Sequence, residues 1–400
     1  MARASSVSGV FARMMNGGGV FIFIHTSAMM ESSCPIRLSH SMRAGLYIIL
    51  FLALLSGISC SRSGNKSLFQ TTAEPLVPVD SISLEKYGIL LPSMVFQYKD
   101  WLVVKKHGDN YFDVINPRTD TVYHILKKGR GPQEVISITS VQQMGEIVYV
   151  FDINRNRMMA VNIESAINEE IECVIVDTVV YKPLVGDCRP FIIRMAENGQ
   201  YATGNFPDKS WYVFSDKNGV VRSSIPRFSV RDEDLLTEQE LAGIHSQSII
   251  TSTEGGEHVA VVLNLGVAIS FAACRDGQLH EERRYVEAVP GIKTKDRYRN
   301  KHLVMDTKDL PKFCGIASND QNVFILYGRK DTDALRPGWV GKDLFVFDWS
   351  GNMLRYFVLD RYLGSLTWSQ GRLMGVTSYP EAKVYIYDLG VTNPQKPVTE

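Results

Sequence analysis

From Val79 onward the chain alternates short apolar runs with turn residues and hardly ever sustains a helical period. The runs IVYVFDI (Ile147 to Ile153), SWYVFSD (Ser210 to Asp216), DLFVFDW (Asp343 to Trp349) and KVYIYDL (Lys383 to Leu389) crowd β-branched and aromatic residues together. That density suits buried strands. Several runs end in Asp and lead into SDKNGVV, CRDGQL or DWSGNML, where Asn-Gly, Asp-Gly and Ser-Gly supply the positive φ of tight antiparallel turns. One stretch departs from the pattern. SVRDEDLLTEQELAGIHS, Ser229 to Ser246, has an acidic start and an apolar stripe of Leu235, Leu236, Leu241 and Ile244, which predicts a helix.

The strands fall into repeated units of four, over Val95 to Leu126, Ile138 to Val180, Pro190 to Phe228, Ser248 to Val286 and Phe313 to Asp360. A further unit starts at Leu363 and runs out of chain after three strands. SISLEKYGIL, Ser81 to Leu90, precedes the first unit without a partner and is expected to complete the last one, which leaves no exposed edge. The predicted fold is all-β: a six-bladed β-propeller of four-stranded antiparallel blades over residues 79–390, its ring closed by an N-terminal strand. Seven blades or an open pair of sandwiches are the alternatives. Residues 391–400 read as a tail.

The N-terminal part has a different character. MRAGLYIILFLALLSGISC, Met42 to Cys60, sets one arginine before an apolar run and ends in small residues and a cysteine. This is the layout of a secretory signal, and its apolar core is short of the roughly 20 residues of a spanning helix. The ending is similar to a bacterial lipobox, with Gly57 where an aliphatic residue is usual, and it makes Cys60 the candidate lipid-attachment site. Plain secretion and an uncleaved anchor are the alternatives. Residues 1–41 read as an over-extended gene start, and residues 61–78, polar and aperiodic, as a tether.

The whole chain carries 43 basic and 43 acidic residues; removing everything before Cys60 takes away four arginines and one glutamate, leaving a net charge of about −3. Nucleic-acid binding, which needs a basic excess, is not expected. Cys173, Cys188, Cys274 and Cys314 form no CxxC pair, so a structural zinc site is not expected. They read as buried thiols, with a Cys173–Cys188 disulfide left open. No Gly-x-Ser-x-Gly or His-Glu-x-x-His stretch is present. The run from Asp152 through Asn154 to Asn156 opens like a calcium loop and fails at Arg157 and Ile163. Asp331 and Asp333 read as solvated carboxylates, and His107, His124, His245, His258 and His280 share no spacing. Neither a catalytic residue nor a cofactor is assigned.

KKGRGPQEV, Lys127 to Val135, followed by VYVFDINRNRMMAVNI, and DLFVFDWSGNMLRYFVLD, Asp343 to Asp360, together resemble the TolB-like six-bladed propeller lipoproteins of Bacteroidetes. Gln133 and Val135 replace a glycine and an aromatic residue usual in the first motif. The resemblance implies a propeller, an exported location and a binding role. It implies no reaction.

Loop length is uneven. The blade four to five connection, Glu287 to Lys312, is rich in Lys and Arg, and GRKDTDALRPGWVGK, Gly328 to Lys342, is a long insertion in blade five. Connections between blades, and between a blade's second and third strands, share one face. Arg130, Phe206, Trp211, Tyr327, Arg329, Arg336 and Trp339 are expected there as ligand-binding candidates, since aromatic rings with arginines hold sugars, peptides or acidic groups. Trp349 and Trp368 are expected in the core. The resulting expectation is a lipid-anchored envelope module that binds a glycan, a peptide or a protein partner. A propeller hydrolase or lactonase with a channel site, and a purely structural envelope subunit, are the alternatives.

Overall fold

The computed structural model describes residues 71–145, 147–168, 175–179, 189–230, 236–264, 266–288, 291–297, 300–306, 312–329 and 340–390. Two short strands come first, β1 (Glu74–Leu76) and β2 (Asp80–Ser83). Blade one is β3 (Pro92–Tyr98), β4 (Trp101–Lys106), β5 (Asn110–Asn116) and β6 (Thr121–Lys127). Blade two is β7 (Ile138–Met144), β8 (Ile147–Asp152), β9 (Arg157–Asn162) and β10 (Ile175–Val179), with the short helix α1 (Ile163–Ile167) after β9. Blade three is β11 (Arg189–Ala196), β12 (Gly199–Asn205), β13 (Ser210–Ser215) and β14 (Val221–Pro226). The helix α2 (Glu238–Ser246) then leads into blade four, β15 (Ser248–Ser252), β16 (His258–Leu263), β17 (Val267–Arg275) and β18 (Gln278–Ala288). A separate hairpin, β19 (Gly291–Arg297) and β20 (Asn300–Asp306), lies between blades four and five. Blade five is β21 (Lys312–Ser318), β22 (Asn322–Gly328), β23 (Gly341–Asp348) and β24 (Met353–Leu363), and blade six contains β25 (Ser365–Ser369), β26 (Arg372–Thr377) and β27 (Lys383–Tyr387). The protein is a six-bladed β-propeller.

Why the strands read as continuous apolar runs follows from how the blades stack. Alternate side chains of a strand point to opposite faces of its sheet, and in a propeller both faces meet a neighbouring blade. In β16, Val259, Val261 and Leu263 pack with Trp211 and Ile225 of blade three, whereas Ala260 and Val262 pack with Phe313 and Ile325 of blade five. Six apolar clusters result, one at each junction between adjacent blades.

β2 pairs antiparallel with β27, from Asp80 opposite Ile386 to Ser83 opposite Lys383, and is the fourth strand of blade six. Leu84, just beyond it, is fully buried among Val95, Val384 and Met374 of blades one and six. β1 falls within the stretch 61–78 that reads from sequence as a tether. Residues 74–76, read from sequence as part of a featureless linker, pair in parallel with Phe357 to Leu359 on the edge of blade five. Glu74 anchors them through Arg355 at 2.6 Å. Three residues carry too little pattern to announce a strand, and Arg355, on the edge that recruits them, is 281 residues from Glu74 in sequence. A second correction concerns the basic blade four to five connection, which contains the hairpin of β19 and β20, paired from Gly291 with Asp306 to Arg297 with Asn300.

The predicted helix is present as α2. Thr237 caps it reciprocally with Glu240: the Glu240 N–H donates to Thr237 Oγ1 at 3.3 Å, and the Thr237 N–H donates to Glu240 Oε2 at 2.7 Å. Leu241 and Ile244 are buried against blades three and four, and Leu236 packs beside them; Leu235 lies outside the described residues.

Candidate functional site

At the propeller's axis the first strands of all six blades, β3, β7, β11, β15, β21 and β25, line a cavity of about 640 Å³. That is the size of an ordinary small-molecule site. A first strand pairs with its own blade on one side only, so the N–H and C=O groups of its axial edge need partners from elsewhere. Side chains of the adjacent first strand supply several. The Met195 N–H donates to Gln142 Oε1 at 2.7 Å, and Gln142 Nε2 donates to the Met195 carbonyl at 2.8 Å, joining blades two and three. The Gln97 N–H donates to Ser369 Oγ at 3.0 Å between blades one and six, and the Thr251 and Ser318 hydroxyls sit 2.6 Å apart between blades four and five. The polar residues of the axis therefore stitch the ring as well as line it.

Some of them are left over. Thr139 Oγ1, Ser252 Oγ, Thr367 Oγ1 and Arg194 Nε are buried without a protein partner, and all four residues line the channel. Buried polar atoms are nearly always satisfied, and these four, closed off from the cavity by their neighbours, are exceptions within its wall. Trp368 adds an aromatic wall, its ring stacked on Phe324 with centroids 5.0 Å apart.

The charge in the channel is one-sided. Arg194 is half-buried in the channel wall, and desolvation pushes its guanidinium down to about 10, with Glu254 opposing the shift. Lys105 donates to the Ile138 carbonyl at 3.3 Å, and burial pushes its ammonium down to about 8. Lys99 also lines the cavity but pairs with Glu164 at 2.7 Å. The lining carboxylates, Glu254 and Asp320, are exposed and lie just past the ends of β15 and β21, at the rim.

Lys105 gives a pH signature. Its folded pKa lies below that of a free lysine, so between the two values the unfolded chain binds more protons than the folded one. Stability should therefore rise with pH above about 8. Urea unfolding at pH 7 and pH 9.5 should show a gain of about 1–2 kcal/mol from this group, discounted for its partial contact with solvent. Lys105→Met should lack that gain and be the more stable chain at pH 7.

The residues expected on the loop-rich face divide into three sets. Phe206, Trp211 and Tyr327 are not surface groups. Phe206 is buried between blades two and three, Trp211 is fully buried with its Nε1 donating to Ser248 Oγ at 2.8 Å, and Tyr327 packs against Phe313 and Phe345. Arg329 and Arg130 are exposed. Arg329 is committed, however: its Nε and Nη2 donate to the two oxygens of buried Asp343 at 2.9 and 2.8 Å, and Tyr356 joins the cluster. The Asp343 hydrogen bonds hold its guanidinium well above the ordinary range. Arg336, Trp339 and Cys60 lie outside the described residues, as do Cys173, Cys188, Asp331 and Asp333. Cys274 and Cys314 are buried free thiols, and burial raises the Cys314 thiol to about 12.

Arg130 belongs to the glycine-containing connection KKGRGPQEV, which has the look of a phosphate cradle. The chain fills that cradle itself. The Gly131 N–H donates to Glu134 Oε2 at 2.7 Å, and a side chain at Gly129 would place its Cβ 2.0 Å from the same oxygen. Arg155 donates to the Gly131 carbonyl at 2.8 Å and Arg157 to the Glu134 carbonyl at 2.7 Å. The segment is a braced corner between blades one and two. Nearby, Asp152 accepts from the N–H groups of Ile136, Ser137 and Asn154, which makes the calcium-like run a turn clasp.

Among the histidines, His124 lies 2.6 Å from buried Asp113, and the His245 ring nitrogens lie 2.8 and 3.1 Å from the carbonyl oxygens of Leu241 and Phe228. Trp349 is buried as expected; Trp368 is core on one face and channel wall on the other. The channel residues were missed in sequence although a trace is visible: ITSVQQ, SIITSTE and GSLTWSQ, the first strands of blades two, four and six, are richer in Ser, Thr and Gln than the strands that follow them.

No protein-family model matches the chain, and no curated protein matches it in sequence. Solved structures of similar shape include a member of the DUF4221 family from Bacteroides vulgatus, with 10% identity and a TM-score of 0.47 over 80% of this chain and 97% of that one. A protein of Bacteroides fragilis named as an exported protein gives 9% identity and 0.45 over 75% and 90%. The β-propeller domain of Cps50 (Swd1) from Myceliophteria thermophila gives 11% and 0.39 over 78% and 99%.

Proposed function

We propose that the protein is an exported β-propeller of the cell envelope, lipid-anchored through Cys60, that acts as a binding or scaffolding module rather than a catalyst. In this reading the central channel holds the ligand, and the loop-rich face around its mouth meets a glycan, peptide or protein partner. The observation that supports it is the channel itself, a cavity of about 640 Å³ lined from the first strands of all six blades by Ser, Thr and Gln residues and by Arg194. Binding sites commonly place a few convergent polar groups in an otherwise packed cavity.

Hydrogen exchange on the mature protein, with and without fractionated envelope extract, tests this. Binding should slow exchange at the amides of 139–145, 249–254 and 366–370. Protection confined to the outer loops would move the ligand site out of the channel, and no protection anywhere would overturn the reading.

A further inference from the structure

We propose that the channel selects a small organic anion, with its carboxylate or phosphate group held by Arg194. The inference rests on the channel being the ligand site and adds the chemistry of the ligand. Two features carry it. First, the Arg194 side chain lines the cavity and makes no hydrogen bond or ion pair with any described residue, and a half-buried guanidinium is costly unless a counter-charge meets it. Second, Arg194 and Lys105 stand along the lining while its carboxylates, Glu254 and Asp320, sit exposed at one rim, and among the described residues neither carboxylate ion-pairs with either cation. Each of these cations leans on protein only weakly. Glu254 acts on Arg194 through its field, and the one carbonyl that Lys105 contacts is 3.3 Å away.

The two cations enter at different depths. The first strands all run from one face to the other, and Lys105 reaches the Ile138 carbonyl where β7 begins, whereas Arg194 is near the far end of β11. An anionic group at Arg194 therefore leaves the body of the ligand extending toward Lys105. A guanidinium offers planar paired donors that fit a carboxylate or a phosphate and give an anion an advantage over a neutral molecule of the same shape.

The test uses titration calorimetry of the intact protein with glucuronate, citrate and inorganic phosphate, set against glucose as the uncharged counterpart of glucuronate. Bromide-soaked crystals locate any anion directly by anomalous scattering. The expected result is a bromide peak beside Arg194 and binding of at least one of the three anions about tenfold or more tighter than glucose. Arg194→Met should abolish both, Arg194→Lys should restore part of the affinity, and Lys105→Met should weaken binding less. Unfolding curves of all three variants establish that each is folded at the assay temperature. Glucose binding as tightly as glucuronate, or Arg194→Met binding anions unchanged, would overturn the anion assignment and leave the channel reading standing. A channel free of bromide, with none of the probes bound, overturns the anion assignment; hydrogen exchange with envelope extract then decides the channel reading by itself.

Discussion

Removing residues 71–84 is expected to lower the melting temperature by about 10 °C or more and to produce self-association. The segment supplies β1 to blade five and β2 to blade six, and ends at Leu84, which is completely buried between blades six and one. Losing a buried leucine alone costs about 2–5 kcal/mol, and in a chain of this size each kcal/mol shifts the midpoint by about 2–4 °C. Without β2, the edge of β27 from Lys383 to Tyr387 has no outer neighbour, and an open strand edge recruits another chain. Calorimetry and light scattering on the shortened protein measure the two effects. A synthetic peptide of residues 71–91 should reverse both when added during refolding. A shortened chain that melts within a degree or two of the full one would show that the strap is an accessory.

Trp211→Ala is expected to cost about 3–5 kcal/mol without touching ligand binding at temperatures where the variant is folded. Trp211 is fully buried, meets Phe228 edge to face with ring centroids 4.8 Å apart, and donates to Ser248 Oγ at 2.8 Å. The truncation leaves a void between blades three and four and strands a hydroxyl that also donates to the His245 carbonyl at 2.7 Å. Trp211→Phe keeps most of the volume and should lose about 1–2 kcal/mol. Denaturant unfolding gives the stabilities and calorimetric titration the affinities. A variant of normal stability with impaired binding would return Trp211 to the ligand-contacting face.

That contrast shows what the amino-acid pattern could and could not convey. IVYVFDI and SWYVFSD announce strands because each carries an unbroken run of β-branched and aromatic residues, and the turns after them announce hairpins, so the order of blades is legible. The same feature hides the faces. A strand apolar on both sides does not say which side holds Trp211, and only the stacking of blades reveals that neither side is wet. For Phe206 and Tyr327 the reasoning fails identically, since a ring near a loop is a binding group or a core group according to its neighbour.

The channel was obscured for a different reason. Ser, Thr and Gln on a single strand are unremarkable, and they acquire meaning only when six first strands meet around an axis. Lys105 reads as an ordinary end-of-strand lysine until β7 places the Ile138 carbonyl beside its ammonium group. The strap residues Glu74–Leu76 give no local cue because Arg355 and the β24 edge select them from far along the chain.

The sharing of each strand between two apolar clusters bears on how the molecule comes apart. No blade possesses a core of its own: excising blade four, for example, would strip Trp211 and Ile225 of their cover on one side and Phe313 and Ile325 on the other. Loss of any blade thus damages two neighbours, and through them the next pair, so the ring should unfold as one cooperative step rather than blade by blade. Proteolytic fragments holding a whole number of blades should not persist as folded pieces, because each end of such a fragment leaves one sheet face without its cover.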